Sequence, residues 1–212
     1  MTTQEFQQSI TKSEFKEYLT KGFLYDQYKQ NMADDLSSNP DAAIKNYIDL
    51  NQHRTSRVEK TFAFSEEIKT QLSALKQKIY WLVITEHWCG DSAQNIPVFH
   101  QIAEASEGKI ELKFVYRDQN PELMDAFLTN HSRSIPKLIQ LDSHFNVNGI
   151  WGPRPSIAQK LVLKLKANPA TAENYANELH LWYAKNRQSA ISTEIEKLLF
   201  KANQFCPECL IG

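Results

Sequence analysis

The chain has 212 residues, 42% of them hydrophobic and 23% charged, with a formal net charge of −1. That length and balance suit one globular domain with additions, and they remove the electrostatic case for nucleic acid or an anionic membrane surface as partner. Three cysteines, Cys89 alone and Cys206 close to Cys209, do not make a disulfide framework. A reducing cytoplasm is therefore the expected compartment. No apolar run reaches the length of a membrane span, and Met1 to Ser9 lacks the apolar stretch of a signal peptide.

Thr11 and Glu14 form a capping-box pattern. It predicts a helix carrying Phe15, Tyr18 and Leu19, continuing to Leu24, Tyr25 and Tyr28 with a break near Gly22. Ser37 to Pro40 breaks the pattern, with Asn39 read as an N-cap and Pro40 as the first helical residue. The next helix carries Ile44, Tyr47 and Ile48, then turns basic through His53, Arg54 and Arg57. Because Glu59 follows directly, that stretch reads as a solvated face. Lys60 to Phe64 is expected to be a short strand. Ser65 caps a helix with Ile68, Leu72 and Leu75 inward.

Ile79 to Ile84 is an apolar run that reads as a buried strand. Ala93 to Ala105, with Ile96, Phe99 and Ile102 at helical spacing, reads as a helix. Cys89 lies between them, where a strand hands over to a helix N-terminus. Unpaired N–H groups and the positive end of the helix dipole favour a thiolate there, so Cys89 is read as a reactive thiol. His87 is expected to face solvent, although a proton-accepting role toward Cys89 is the alternative. Arg117–Asp118 reads as a salt-bridged turn.

After the Ala93 to Ala105 helix, Ile110 to Tyr116 reads as a strand, and Pro121 opens a short helix. Lys137 to Leu141 and Phe145 to Trp151 read as a hairpin. Ser156 is expected to cap a helix containing Ile157, Leu161, Val162 and Leu165. One long helix is expected from about Ala170 to Asn203. The order implies an α/β fold, a mixed sheet with helices on both faces.

Trp88-Cys89-Gly90-Asp91-Ser92, Ile135-Pro136 and Gly152 resemble the thioredoxin superfamily. The chain is most similar there to a bacterial group of thioredoxin-like proteins with a Trp-Cys-Gly-Asp-Ser active-site turn, an Ile-Pro-Lys segment and a Gly-Pro-Arg-Pro segment. The resemblance implies a thioredoxin-like domain over residues 60–167, with an N-terminal helical extension (1–59) and a C-terminal helix and tail (168–212) packed on the same domain.

By that resemblance Cys89 is the nucleophilic cysteine and Pro136 a cis-proline facing it. Ile135 offers backbone groups to a substrate, and Trp88 and Gly152 line a shallow groove. Two departures stand out. Ser92 occupies the position of a resolving cysteine, and Val83 that of a buried aspartate. The implied activity is monothiol disulfide exchange or mixed-disulfide reduction, with protein thiols or a glutathione-type small thiol as partners. The alternatives are a binding module without turnover and iron–sulfur binding by a dimer; no cofactor or metal is expected. Cys206 and Cys209 are candidate accessory redox residues. Arg154, held between Pro153 and Pro155, is expected to meet an anion at the Cys89 edge: the thiolate, Asp91, or a carboxylate of substrate or glutathione. The alternative is a surface carboxylate of the last helix.

Overall fold

Seven consecutive residues, Ile79–Thr85, form the central strand β1, and all but Tyr80 are buried. A strand apolar on both faces needs cover on both. A computed structural model describes residues 10–204 and shows how that cover is supplied. The helices and strands, in chain order, are α1 (Lys12–Lys21), α2 (Tyr25–Ser38), α3 (Ala42–Thr61), α4 (Glu66–Ala74), β1, α5 (Gly90–Ala105), β2 (Ile110–Tyr116), α6 (Pro121–Ala126), β3 (Lys137–Leu141), β4 (Val147–Trp151), α7 (Ser156–Ala167), α8 (Pro169–Ala172), α9 (Tyr175–Asn186) and α10 (Ser189–Gln204).

The sheet order is β2-β1-β3-β4, with β1 parallel to β2 and antiparallel to β3, and β3 antiparallel to β4. One face packs Trp81 and Val83 against α2, α3, α4, α5 and α10 through Tyr28, Ile48, Ile68, Phe99 and Ile195. The other packs Leu82 and Ile84 against α1 and α6 through Phe15, Leu19, Leu123 and Phe127. A smaller cluster of Ala158, Val162, Leu179 and Tyr183 joins α7 to α9. The mixed sheet with helices on both faces is as the sequence pattern implies, with helical additions before and after it.

Several local expectations are corrected. Residues 60–64 do not form a strand: α3 runs on to Thr61, and Phe62 and Phe64 instead pack on the core from irregular backbone. Asp41, not Asn39, caps α3, accepting from the Ala43 and Ile44 N–H groups. Pro155 rather than Ser156 is the cap residue of α7, and Ile157 is exposed while Ala158 and Val162 face inward. The single long helix after Ala170 is broken twice: the short α8 ends at Ala172, and Arg187 and Gln188, with φ of 48° and 64°, turn the chain between α9 and α10. The Thr11–Glu14 capping box forms. Between α1 and α2, Phe23 exchanges two backbone hydrogen bonds with Phe114 on β2, each 3.0 Å.

Candidate functional site

The turn after β1 places Cys89 as the N-cap residue of α5 (φ −78°, ψ 112°), with Ala93 N–H bonded to its carbonyl. Its Sγ donates to the Ile135 carbonyl at 3.3 Å. The Ile135–Pro136 bond is cis, as is Gly152–Pro153. Gly152, at φ +123°, comes so close to Pro136 that a β-carbon there would lie 2.1 Å from the Pro136 carbonyl oxygen. Only glycine fits both that conformation and that approach. Cys89, Ile135, Pro136 and Gly152 are thus one constellation. Trp88 is half-buried beside it, with the Arg117 guanidinium 4.8 Å from its ring centre. Arg117 also pairs with Asp118, as expected of that turn.

The thiolate expected at this helix start is not the favoured form. Cys89 is buried, and burial first, then the Asp91 charge, push its thiol up to about 11. The Ser92 hydroxyl and the Ser92 and Asp91 backbone N–H groups oppose that shift and do not overcome it. Ser92 itself is fully buried and accepts a hydrogen bond from Thr85 Oγ1 at 2.8 Å.

Arg154 meets Asp91, one of the anions foreseen for it. Its Nε donates to Asp91 Oδ2 at 3.0 Å, joined by Nη2, and its Nη1 donates to Gln159 at 2.7 Å. Tyr183 of α9 donates to the other oxygen, Oδ1, at 2.6 Å. Asn95 Nδ2 donates both to the Asp91 carbonyl and to the Tyr183 hydroxyl. Asp91 is therefore held at its carboxylate by Arg154 and Tyr183 and at its carbonyl by Asn95. Trp151 packs in the core against Phe99, and its Nε1 donates to Glu194 at 2.7 Å.

His87 does not face solvent. It is buried, with Nδ1 3.0 Å from Asp35 Oδ2 and Nε2 2.9 Å from the Tyr116 hydroxyl. Burial lowers its basicity, and Asp35 partly restores it. This chain of contacts ties α2 to the end of β2. A cavity of about 410 Å³ lined by Asp34, Asp35, Glu86, His87 and Tyr116 lies beside it. Among the described residues, no group of three or more His, Cys, Asp or Glu is placed to hold a metal ion, and no helix is long and apolar enough to cross a membrane. Cys206 and Cys209 lie outside the described residues.

The residues with least sequence signal are Arg54, Arg57, His180 and Tyr183. Of the basic stretch of α3 only His53 is exposed: Arg54 and Arg57 are half-buried and turned to the start of α5, not on a solvated face. A β-carbon on Gly90 would lie 2.7 Å from His180 Cε1 and 3.1 Å from Arg54 Nη1. Their available signal was spacing: Asn51, Arg54 and Val58, and likewise His180 and Tyr183, recur three or four residues apart, on one helix face.

The fold and the Cys89–cis-proline pair define a thioredoxin-type protein. A family model described as thioredoxin matches residues 37–173, so it takes in α3 as well as the sheet. The chain is 33% identical over 76 residues to Thioredoxin 1 of Nostoc sp., covering 35% of this chain and 68% of that one. A Pseudomonas aeruginosa protein of unknown function has the same fold, with a TM-score of 0.60 at 16% identity, covering 89% of this chain and 98% of its own. An HIV epitope scaffold matches with a TM-score of 0.50 at 17% identity, over 68% of this chain and 80% of its own. The chain belongs to the thioredoxin family.

Proposed function

We propose that the chain performs monothiol disulfide exchange at Cys89. The observation that supports this most directly is Cys89 Sγ set against the Ile135 carbonyl before cis-Pro136, at a helix N-terminus whose next-turn position is Ser92 and not a second thiol. The Cys89 thiolate attacks one sulfur of a disulfide R–S–S–R′. The Cys89–S–S–R bond forms, and R′S⁻ leaves and takes up a proton. A second small thiol, RSH, then attacks the adduct, releasing R–S–S–R and restoring Cys89. The small thiol is the reductant: R–S–S–R′ and one RSH give R–S–S–R and R′SH, so one disulfide is exchanged for another. Ile135 and Pro136 align the substrate, Trp88 and Gly152 border it, and Arg154 with Ser92 holds the turn.

The raised thiol pKa sets the conditions. Labelling of Cys89 by iodoacetamide, in the full chain with Cys206 and Cys209 changed to serine, is expected to rise about tenfold per pH unit from neutrality and level off near pH 11, because only the thiolate reacts. A Cys89 mixed disulfide with one equivalent of released thiol, detected by mass after addition of an unsymmetrical disulfide, would support exchange. A thiol inert to disulfides even at pH 10 would end it.

The burial of that thiol favours a second reading, a thioredoxin-fold module that docks a protein partner without turnover. A partner retained with equal affinity by Cys89→Ser, together with no adduct, selects that reading.

A further inference from the structure

Around Gly90 the cations outnumber the anions. Arg54 Nη1 donates to Asn51 Oδ1 at 2.8 Å, and Arg57 Nη2 donates to Gln94 Oε1 at 2.6 Å. Both acceptors are neutral amides. Among the described residues neither guanidinium has an ion-pair partner, whereas Asp91 is already engaged by Arg154 and Tyr183. Because Gln94 Oε1 accepts from Arg57, the Gln94 amide nitrogen is the donor to His180 Nδ1, at 3.3 Å. That bond puts the ring proton on His180 Nε2, which has no partner among the described residues. Burial, then the Arg54, Arg57 and Arg154 charges, hold His180 neutral, down to about 4. Its free N–H and the Arg54 guanidinium converge on Gly90, within 2.8 and 3.1 Å of where a β-carbon would stand.

Two half-buried cations facing each other with only amide acceptors are a site short of negative charge. Each loses hydration without gaining an ion partner, and they repel one another. An anion that meets the outer N–H groups of the two guanidiniums answers both deficits. The residue before Gly90 is Cys89, whose Cα is about 3.8 Å from that of Gly90. α9 closes the other side, since His180 already stands on Gly90.

We propose that Arg54, Arg57 and His180 form a carboxylate-binding subsite, which seats a carboxylate of a low-molecular-weight thiol while its sulfur is joined to, or attacked by, Cys89. The arginines and His180 carry the anion site; its use as a substrate subsite rests on the exchange chemistry above. α3 and α9, which lie outside the sheet, would then choose among small thiols by charge.

The test uses the full chain with Cys206 and Cys209 changed to serine. Cys89 alkylation is followed by mass mapping with iodoacetate and with iodoacetamide, reagents alike in reaction and differing in charge. Relative to free cysteine, iodoacetate should be favoured on the order of tenfold, the size of focusing expected from a cationic cleft. The preference should vanish in Arg54→Gln/Arg57→Gln and survive in Arg54→Lys. An unchanged ratio in the glutamine variant overturns the subsite. If neither reagent labels Cys89, the exchange reading fails, and calorimetric titration with S-methylglutathione decides the subsite alone. Binding that weakens at least tenfold in the glutamine variant keeps it; equal or absent binding removes it. Arginine-dependent binding of an acidic peptide, without binding of S-methylglutathione, would overturn the small-thiol assignment.

Discussion

Two polar clusters flank the start of α5, and they differ in one respect. Around Asp91, charge and hydrogen bonding close: one carboxylate takes a guanidinium at one oxygen and a phenol at the other. Around Arg54 and Arg57 they do not, because two cations share only amide oxygens and a neutral histidine. A closed network specifies structure, and breaking it leaves a buried charge alone. An open one contributes little to the fold and remains available to a ligand. The difference therefore separates what fixes the Cys89 turn from what can recognise something beside it.

The largest effect expected from breaking the closed cluster is that of Asp91→Ala. It strands Arg154, whose side chain is only 17% exposed, and should cost about 3–5 kcal/mol in denaturant unfolding. Asp91→Asn should cost less, and it should lower the Cys89 pKa by removing the charge that acts second to burial. A stability equal to wild type in Asp91→Ala would show that the pair is not a closed unit.

Acid should expose the histidine between the clusters. The folded chain resists protonating His180 down to about 4, whereas an unfolded histidine takes up its proton near 6.5. The unfolded state thus binds more protons in that window, so stability is full above it and is lost as pH falls from about 6.5 to 4. The shift amounts to roughly 3 kcal/mol at most. His87 and His100, also lowered, act in the same direction. Urea unfolding at pH 7 and pH 4.5 measures the sum, and His180→Gln should flatten part of the slope.

Tyr183→Phe should cost about 1–2 kcal/mol, since it removes the donor to Asp91 and the acceptor of Asn95 without leaving a cavity. The smallest change should come from Arg54→Gln, within about 0.5 kcal/mol of wild type by the same unfolding assay, because it also relieves repulsion with Arg57. A loss as large as that of Asp91→Ala would erase the contrast.

The parts of this site that were legible in the sequence are local ones. The strand before Cys89 and the helix after it are each marked by residues within a few positions of one another, and the Ile135–Pro136 entry and Gly152 were legible through the resemblance those short motifs carry. Arg154 could be aimed because two prolines fix its backbone origin. The thiol's burial was not legible, because it depends on Ile135, far along the chain, closing over the sulfur. Nor were Arg54 and His180, since an amphipathic pattern identifies a polar face but not whether another element lies across it. His87 failed for the same reason: its partners, Asp35 and Tyr116, come from a helix far ahead and a strand behind. The predicted strand at 60–64 failed because the aromatic residues there pack without pairing.

The Phe23–Phe114 bridge has a consequence for self-association. β2 is the outer strand of the sheet, and such a strand is a template on which another copy can polymerise. Phe23 occupies both backbone groups of Phe114 at its middle, and Gly22 packs against Lys113 so tightly that a β-carbon would meet it at 3.0 Å. The segment between α1 and α2 is a clasp on that border. Strand-by-strand growth of the sheet on this side requires the clasp to be peeled away first.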